Sequence, residues 1–519
     1  MKYKMDSDSS NSSKKDTGPK NSMEMKKGKV QTMFRETDLS VSTLMDMQPS
    51  ITADTEPIKC AVLMPQSINT IVVHRNSSKP TVKDLDLSPV LSTNKHLRRR
   101  RPQNYALPSG ITFFQHDFSN LPFDVFYSIL QYLSLKEISI LSMVSKVINS
   151  YIVQNISKLV KRNRMALGSL HQYNTSDLEE HLEYYRSVGL LFKRCTLLLP
   201  TKERLKFISS QLFKVPCFLI GKCSHVPECL GFASYGAFLK VLIAGWDELE
   251  CHRVFSFHCD FTNLHRRIQT VVSSKPGAAR ELEIHIRLFC RSVLIDPWNN
   301  QNDSLFWLTR ILKPWPMVNQ ARLLYILYGP VTSEGNIDWQ KMTQSLAEEC
   351  SVVQFANAIK LIHHDGKPTE WTADSVIGLL EELTDVPNEW LLENQARLLL
   401  LCGNNICYTI MSSKAVNGRV NELANLMVFQ ALVCEKDGYH MQWLRKMLQK
   451  ICMVFGSFKE RCNLLQKVES VFCQCSLEIL QSIIEGNQNS ESNSFENLYS
   501  FLKANAHFHL EILYSFIKE

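Results

Sequence analysis

The residues best suited to chemistry are the thiols and imidazoles between positions 217 and 259. Cys217, Cys223, His225 and Cys229 lie close together, with Cys251, His252, His258 and Cys259 following. Thiolate and neutral imidazole are the donors zinc prefers, and structural sites space paired ligands about two to four residues apart. Only Cys223-Ser224-His225 and His225-x-x-x-Cys229 approach that spacing. Buried thiols and surface histidines are the plainer reading, so neither a metal nor another cofactor is assigned. The chain holds 16 cysteines, and no apolar signal region follows the opening lysines. The thiols therefore read as reduced, in an intracellular protein of the nucleus, the cytoplasm or both. Cys195, Cys290, Cys402, Cys434 and Cys452 sit inside apolar helical patterns, where a thiol acts as a small hydrophobe. No phosphate-binding loop, dinucleotide fingerprint, H-E-x-x-H helix or nucleophile elbow occurs, and no catalytic residue is assigned.

Charge is the second chemical signal. Residues 1–110 carry 18 Lys and Arg against 11 Asp and Glu, so the whole formal charge of +7 lies there and residues 111–519 are neutral. Arg98, Arg99, Arg100 and Arg101 form the core of a basic run that reads as a nuclear-import signal or a phosphate-contacting patch, against the alternative of a solvated linker. A neutral body gives no reason to expect a nucleic-acid groove. Arg310, Arg322 and Arg397 stand on helical patterns, where such arginines either line a binding face or tie neighbouring helices together.

The elements that must position these groups are helical. Hydrophobic content is 45% and charged content 21%, ordinary for a globular chain of 519 residues. No run is long and apolar enough for a membrane span. Residues 1–110 lack any sustained period and are expected to be a disordered basic tail. From position 178 onward, helical periods of roughly 10–20 residues alternate with Pro, Gly and Asn breaks. The expected division is a tail at 1–110, a small helical module at 117–157, a large helical domain at 165–486, and a loop with a last helix at 487–519. Phe306, Trp307, Trp315, Trp371, Trp390 and Trp443 read as core.

The module at 117–157 carries the densest pattern. Leu121-Pro122 opens it, and Val125, Phe126, Ile129, Leu130 and Leu133 recur at helical spacing. Ser134-x-x-Glu137 is a capping box that starts a second helix, continued by Ile138, Leu141, Val144, Ile148 and Ile152. So short a segment bears more apolar surface than it can bury alone.

Leu121, Pro122, Asp124, Val125, Ile129, Leu130, Leu133, Ile138, Leu141, Val144 and Lys146 together resemble the F-box family, with Ser145 where Cys is frequent and Ile148 where an aromatic is common. The resemblance implies a three-helix module that docks on the Skp-type adaptor of a cullin–RING ubiquitin ligase. Its contact residues would be Leu121, Pro122, Val125, Ile129, Leu130, Leu133, Ile138, Leu141, Val144 and Ile148. Segments at 245–254 and 307–330 extend the resemblance, within one branch of that family, into the body. It implies a non-catalytic substrate receptor whose helical body captures a protein for ubiquitination. The competing reading is a non-degradative scaffold, with chromatin contact through the basic tail.

Within the body, Asn319-Gln320-Ala321-Arg322-Leu323-Leu324 recurs as Asn394-Gln395-Ala396-Arg397-Leu398-Leu399. Each copy follows a Trp-containing turn and precedes a Gly. The offset fits stacked helix pairs of the armadillo or HEAT kind, with a non-repeating helical domain as the alternative.

Overall fold

The computed structural model describes residues 121–161, 170–171, 178–212, 214–363, 370–485 and 491–517. The expected tail at 1–110 and the basic run at 98–101 lie outside the described residues.

Three short helices begin the described chain: α1 (Phe123–Tyr132), α2 (Leu135–Leu141) and α3 (Lys146–Lys161). Helices α4 (Leu178–Cys195) and α5 (Thr201–Leu212) follow. A largely irregular connection with two single 3₁₀ turns, Pro216–Phe218 and Val226–Glu228, leads to α6 (Gly231–Ile243). Helices α4 and α6 pack closely because Gly189 has no side chain; a Cβ there would lie 2.6 Å from the Phe238 carbonyl oxygen.

After α6 come α7 (Glu248–Thr262), α8 (Leu264–Ser273) and α9 (Arg280–Phe289), the last continued by a π-helical turn to Ile295. The remaining helices are α10 (Gln301–Leu312), α11 (Met317–Tyr328), α12 (Lys341–Gln344), α13 (Glu349–Ile362) and α14 (Ala373–Thr384). They continue as α15 (Leu392–Cys402), α16 (Asn404–Val416), α17 (Val420–Asp437), α18 (Met441–Val454), α19 (Phe458–Ile484) and α20 (Glu491–Ile517). Among the described residues there is no strand, only a single antiparallel bridge between Val331 and Ile337. The fold is all-α, as the periodicity predicts.

From α10 onward, the single-turn α12 aside, each helix packs on the next but one. One row runs α10, α13, α15, α17, α19; the other runs α11, α14, α16, α18, α20. That is the stacking of a helical-repeat array, in which each unit buries its apolar faces against its neighbours. The repeated hexapeptide opens one helix in each row, α11 and α15, with the same local contacts. Trp315 donates its indole N–H to the Ile311 carbonyl at 3.0 Å, and Trp390 does the same to Val386 at 2.8 Å. Gln320 then donates back to the Trp315 carbonyl at 2.7 Å, and Gln395 to that of Trp390 at 2.9 Å. Each motif therefore builds the same turn-and-helix corner.

The arginines of the two motifs tie helices together. Arg322 donates to the Val272 carbonyl at 2.8 Å. Arg397, buried on α15, forms a two-pronged pair with Asp437 at the end of α17, at 2.7 and 3.0 Å. Arg310 reaches Glu370 at 3.1 Å and Glu248 at 3.4 Å. Trp307, Trp371, Trp390 and Trp443 are buried as expected, while Phe306 and Trp315 are half-buried against the same core. The last helix starts at Glu491 rather than near Phe495, and Phe501, Ala504 and Phe508 bury it against α17, α18 and α19.

Candidate functional site

The three N-terminal helices are positioned by local chemistry. Pro122 is the N-cap of α1 at φ −55°, and its carbonyl accepts from the amides of Val125 and Phe126 at 3.1 Å. Ser134 and Glu137 form the capping box of α2: the Glu137 amide donates to Ser134 Oγ at 3.3 Å, and the Ser134 amide to the Glu137 carboxylate at 2.7 Å. The Ser134 amide, with the Ser134 hydroxyl donating to the same carboxylate oxygen at 2.8 Å, holds the Glu137 carboxyl below the usual carboxylate range. Ser145 accepts the amides of Val147 at 3.2 Å and Ile148 at 3.4 Å, so it caps α3. A hydroxyl serves that role better than a thiol.

Helix α4 holds this trio in place. Arg194 donates to Ser139 Oγ at 2.7 Å, Asn149 to the Cys195 carbonyl at 3.1 Å, and Tyr184 to the Val160 carbonyl at 2.6 Å. Lys136 pairs with Glu183 at 2.7 Å and pulls that carboxyl's pKa down.

The ten candidate contact residues separate by depth. Pro122, Val125, Ile129 and Val144 are exposed; Leu121, Leu133 and Leu141 are half-buried. Leu130, Ile138 and Ile148 are buried at 0%, 1% and 4% exposure and face the interior of this structure. The reason is that α1 to α3 are apolar on two sides, and the inner side, with Phe126, Ile152, Ile156 and Leu159, is covered within the molecule. Tyr132, Ile140, Met143 and Val147 are exposed apolar residues that the motif alone did not single out. So are Leu197, Leu198 and Leu199, in the turn directly after the Cys195 carbonyl that Asn149 engages. Exposed apolar side chains of this kind are what interaction surfaces are built from.

The cysteine and histidine candidates divide as well. Cys217, Cys223 and Cys229 come together, but their fourth neighbour is His171, with His171 Nε2 3.2 Å from Cys217 Sγ and 3.3 Å from Cys223 Sγ. His225 lies tilted beside the His171 ring, centroids 4.9 Å apart. Cys251, His252, His258 and Cys259 all lie on α7, where the buried His258 has Nε2 3.1 Å from the Tyr235 hydroxyl. Burial pushes the thiol of Cys195 up to about 11 and those of Cys259 and Cys407 up to about 12. That is the opposite of what a nucleophilic thiolate requires. Among the described residues no helix is long and apolar enough to cross a membrane.

Comparison with known proteins agrees with this geometry. The F-box domain model matches residues 118–159, and the model described as FBXO47, ARM repeats, matches residues 260–507. A three-helix F-box joined to an armadillo-type body defines the class: an F-box protein. The chain is 53% identical over 435 residues to human (Homo sapiens) F-box only protein 47, covering 82% of this chain and 96% of that protein. It is 53% identical over 402 residues to the Mus musculus protein of the same name, covering 77% and 89%. The chain belongs to the F-box only protein 47 family. No solved structure matches it.

Proposed function

We propose that the chain is the substrate-recognition subunit of a Skp–cullin–F-box ubiquitin ligase. It docks through the outer face of α1–α3 on a Skp-type adaptor and holds a protein substrate with its armadillo-type body. The observation that carries this reading is the exposed apolar face, with Val125, Ile129 and Ile140 outward on α1 and α2 and Met143 and Val144 outward in the turn between α2 and α3. An F-box implies a Skp-type partner in general, and a surface so apolar is stable in water chiefly as half of an interface. The chain's part in catalysis is proximity: bringing substrate and charged ubiquitin carrier together makes their encounter effectively intramolecular. No catalytic residue of its own is needed.

Co-purification tests the docking step. The wild-type chain should bring down the adaptor and the cullin, and the Val125→Asp, Val144→Asp double variant should bring down neither. Undiminished recovery with the double variant would remove the proposal. Arg98–Arg101 are assigned to nuclear import; changing all four to Ala should shift a tagged chain toward the cytoplasm, and an unchanged distribution refutes the assignment.

A further inference from the structure

We infer that His171, Cys217, Cys223 and Cys229 form a structural zinc site joining the segment after the F-box to the irregular connection between α5 and α6. One ligand atom from each of the four lies within 4.8 Å of all the others. A tetrahedral zinc with Zn–S of about 2.3 Å and Zn–N of about 2.0 Å sets its sulfur and nitrogen donors roughly 3.5 Å apart. The His171 Nε2 distances of 3.2 and 3.3 Å to two of the sulfurs fit a single small ion. Three thiolates with one imidazole are a donor set that selects zinc over magnesium or calcium.

The surroundings are those of a built site. Cys217 and Cys223 are buried, and the His171 ring leans on that of His225. The Gly231 amide points at Cys229 Sγ at 3.3 Å, a donor that stabilises a thiolate. Gly231 also has to be glycine, because a Cβ there would stand 2.6 Å from the Cβ of Cys217. The carbonyl of Cys223 is held by His285, whose Nε2 lies 3.2 Å away. Lys214 and Lys222 line the recess beside the thiols and offset the net negative charge of a zinc with three thiolates.

The site also answers a question of stability. Between Leu212 and Gly231 the described chain has only two single 3₁₀ turns, in a molecule otherwise built from helices. Connections this long without regular structure are uncommon in compact domains unless something else fixes them. A bound zinc would clamp that connection at three points. Through His171 it would fasten the segment arriving from α3, whose Leu170 carbonyl accepts from the Leu230 amide at 3.0 Å. The ion would then set how rigidly the F-box is carried by the body.

The test is metal content of the full-length chain, co-expressed with a Skp-type adaptor and purified under reducing conditions without chelator. Mass spectrometry of the metals should find close to one zinc per chain, and Cys223→Ser should lose it. His171→Ala should lose most of it, His171→Cys should keep it, and His225→Ala and Cys251→Ser should keep it fully. Replacement by cobalt should give thiolate-to-cobalt charge transfer and the visible bands of a tetrahedral ion, a signature that does not depend on any variant folding. Wild-type chain without zinc overturns the inference, as does a disulfide among the three cysteines in native alkylation mapping. Full zinc retention in Cys223→Ser overturns it too.

Discussion

Val144 and Ile138 stand six residues apart and should respond oppositely to the same substitution. Val144 is 68% exposed, whereas Ile138 is 1% exposed. In the free chain an Asp at 144 stays in water, and surface changes of this kind move stability by within about 0.5 kcal/mol. In the complex the valine contributes roughly 1.5–3 kcal/mol if fully covered. Losing that weakens docking about 10- to 150-fold, before the added cost of a desolvated carboxylate. At 138 the Asp would be an unpaired charge in the core, costing several kcal/mol and unfolding much of the chain. Binding to a purified Skp-type adaptor by calorimetry, beside a circular-dichroism melt, reads both. The expected result is Val144→Asp with an unchanged melt and docking lost, and Ile138→Asp with a collapsed melt. A Val144→Asp chain binding within twofold of wild type would refute the reasoning.

Two further predictions concern the body. Burial pushes the pKa of His258 down to about 4, whereas a histidine in the unfolded chain titrates near 6.5. The unfolded state therefore binds more protons, and stability present above pH ~6.5 is lost as pH falls toward 4, by up to roughly 3 kcal/mol. His258→Gln should flatten that part of the pH profile of chemical denaturation; an identical slope would refute the assignment. Asp437→Ala leaves Arg397, 8% exposed, with the longer Glu393 contact at 3.6 Å as its remaining ion pair among the described residues. It should cost about 3 kcal/mol, read as a lowered melting temperature, and a loss below about 1 kcal/mol would contradict it.

Much of this was legible because local chemistry decided it. Ser134 and Glu137 specify their own helix start, and the twin hexapeptides specify the same Trp–Gln corner wherever they stand. The depth of the F-box residues was less so. Val125 and Ile129 lie beside Phe126 and Leu130 on one helix, all apolar, and periodicity cannot say which side the rest of the molecule covers. That choice is made by Arg194, Asn149 and Lys136, through contacts to or from α4. The thiol cluster was half legible: its three cysteines were visible, but their imidazole comes from position 171, ahead of α4, rather than from the nearby His225. Sequence proximity favours His225, and the chain path favours His171.

The central claim is that docking and capture serve ubiquitin transfer. In a ligase reconstituted from adaptor, cullin, RING subunit and charged carrier, ubiquitination of a protein captured by the body should be measured with wild-type and Val144→Asp chains. The account predicts transfer with the wild type and little or none with the variant, although both retain the captured protein. Equal lack of modification with both chains, in a fully assembled complex, would contradict it and leave a scaffold.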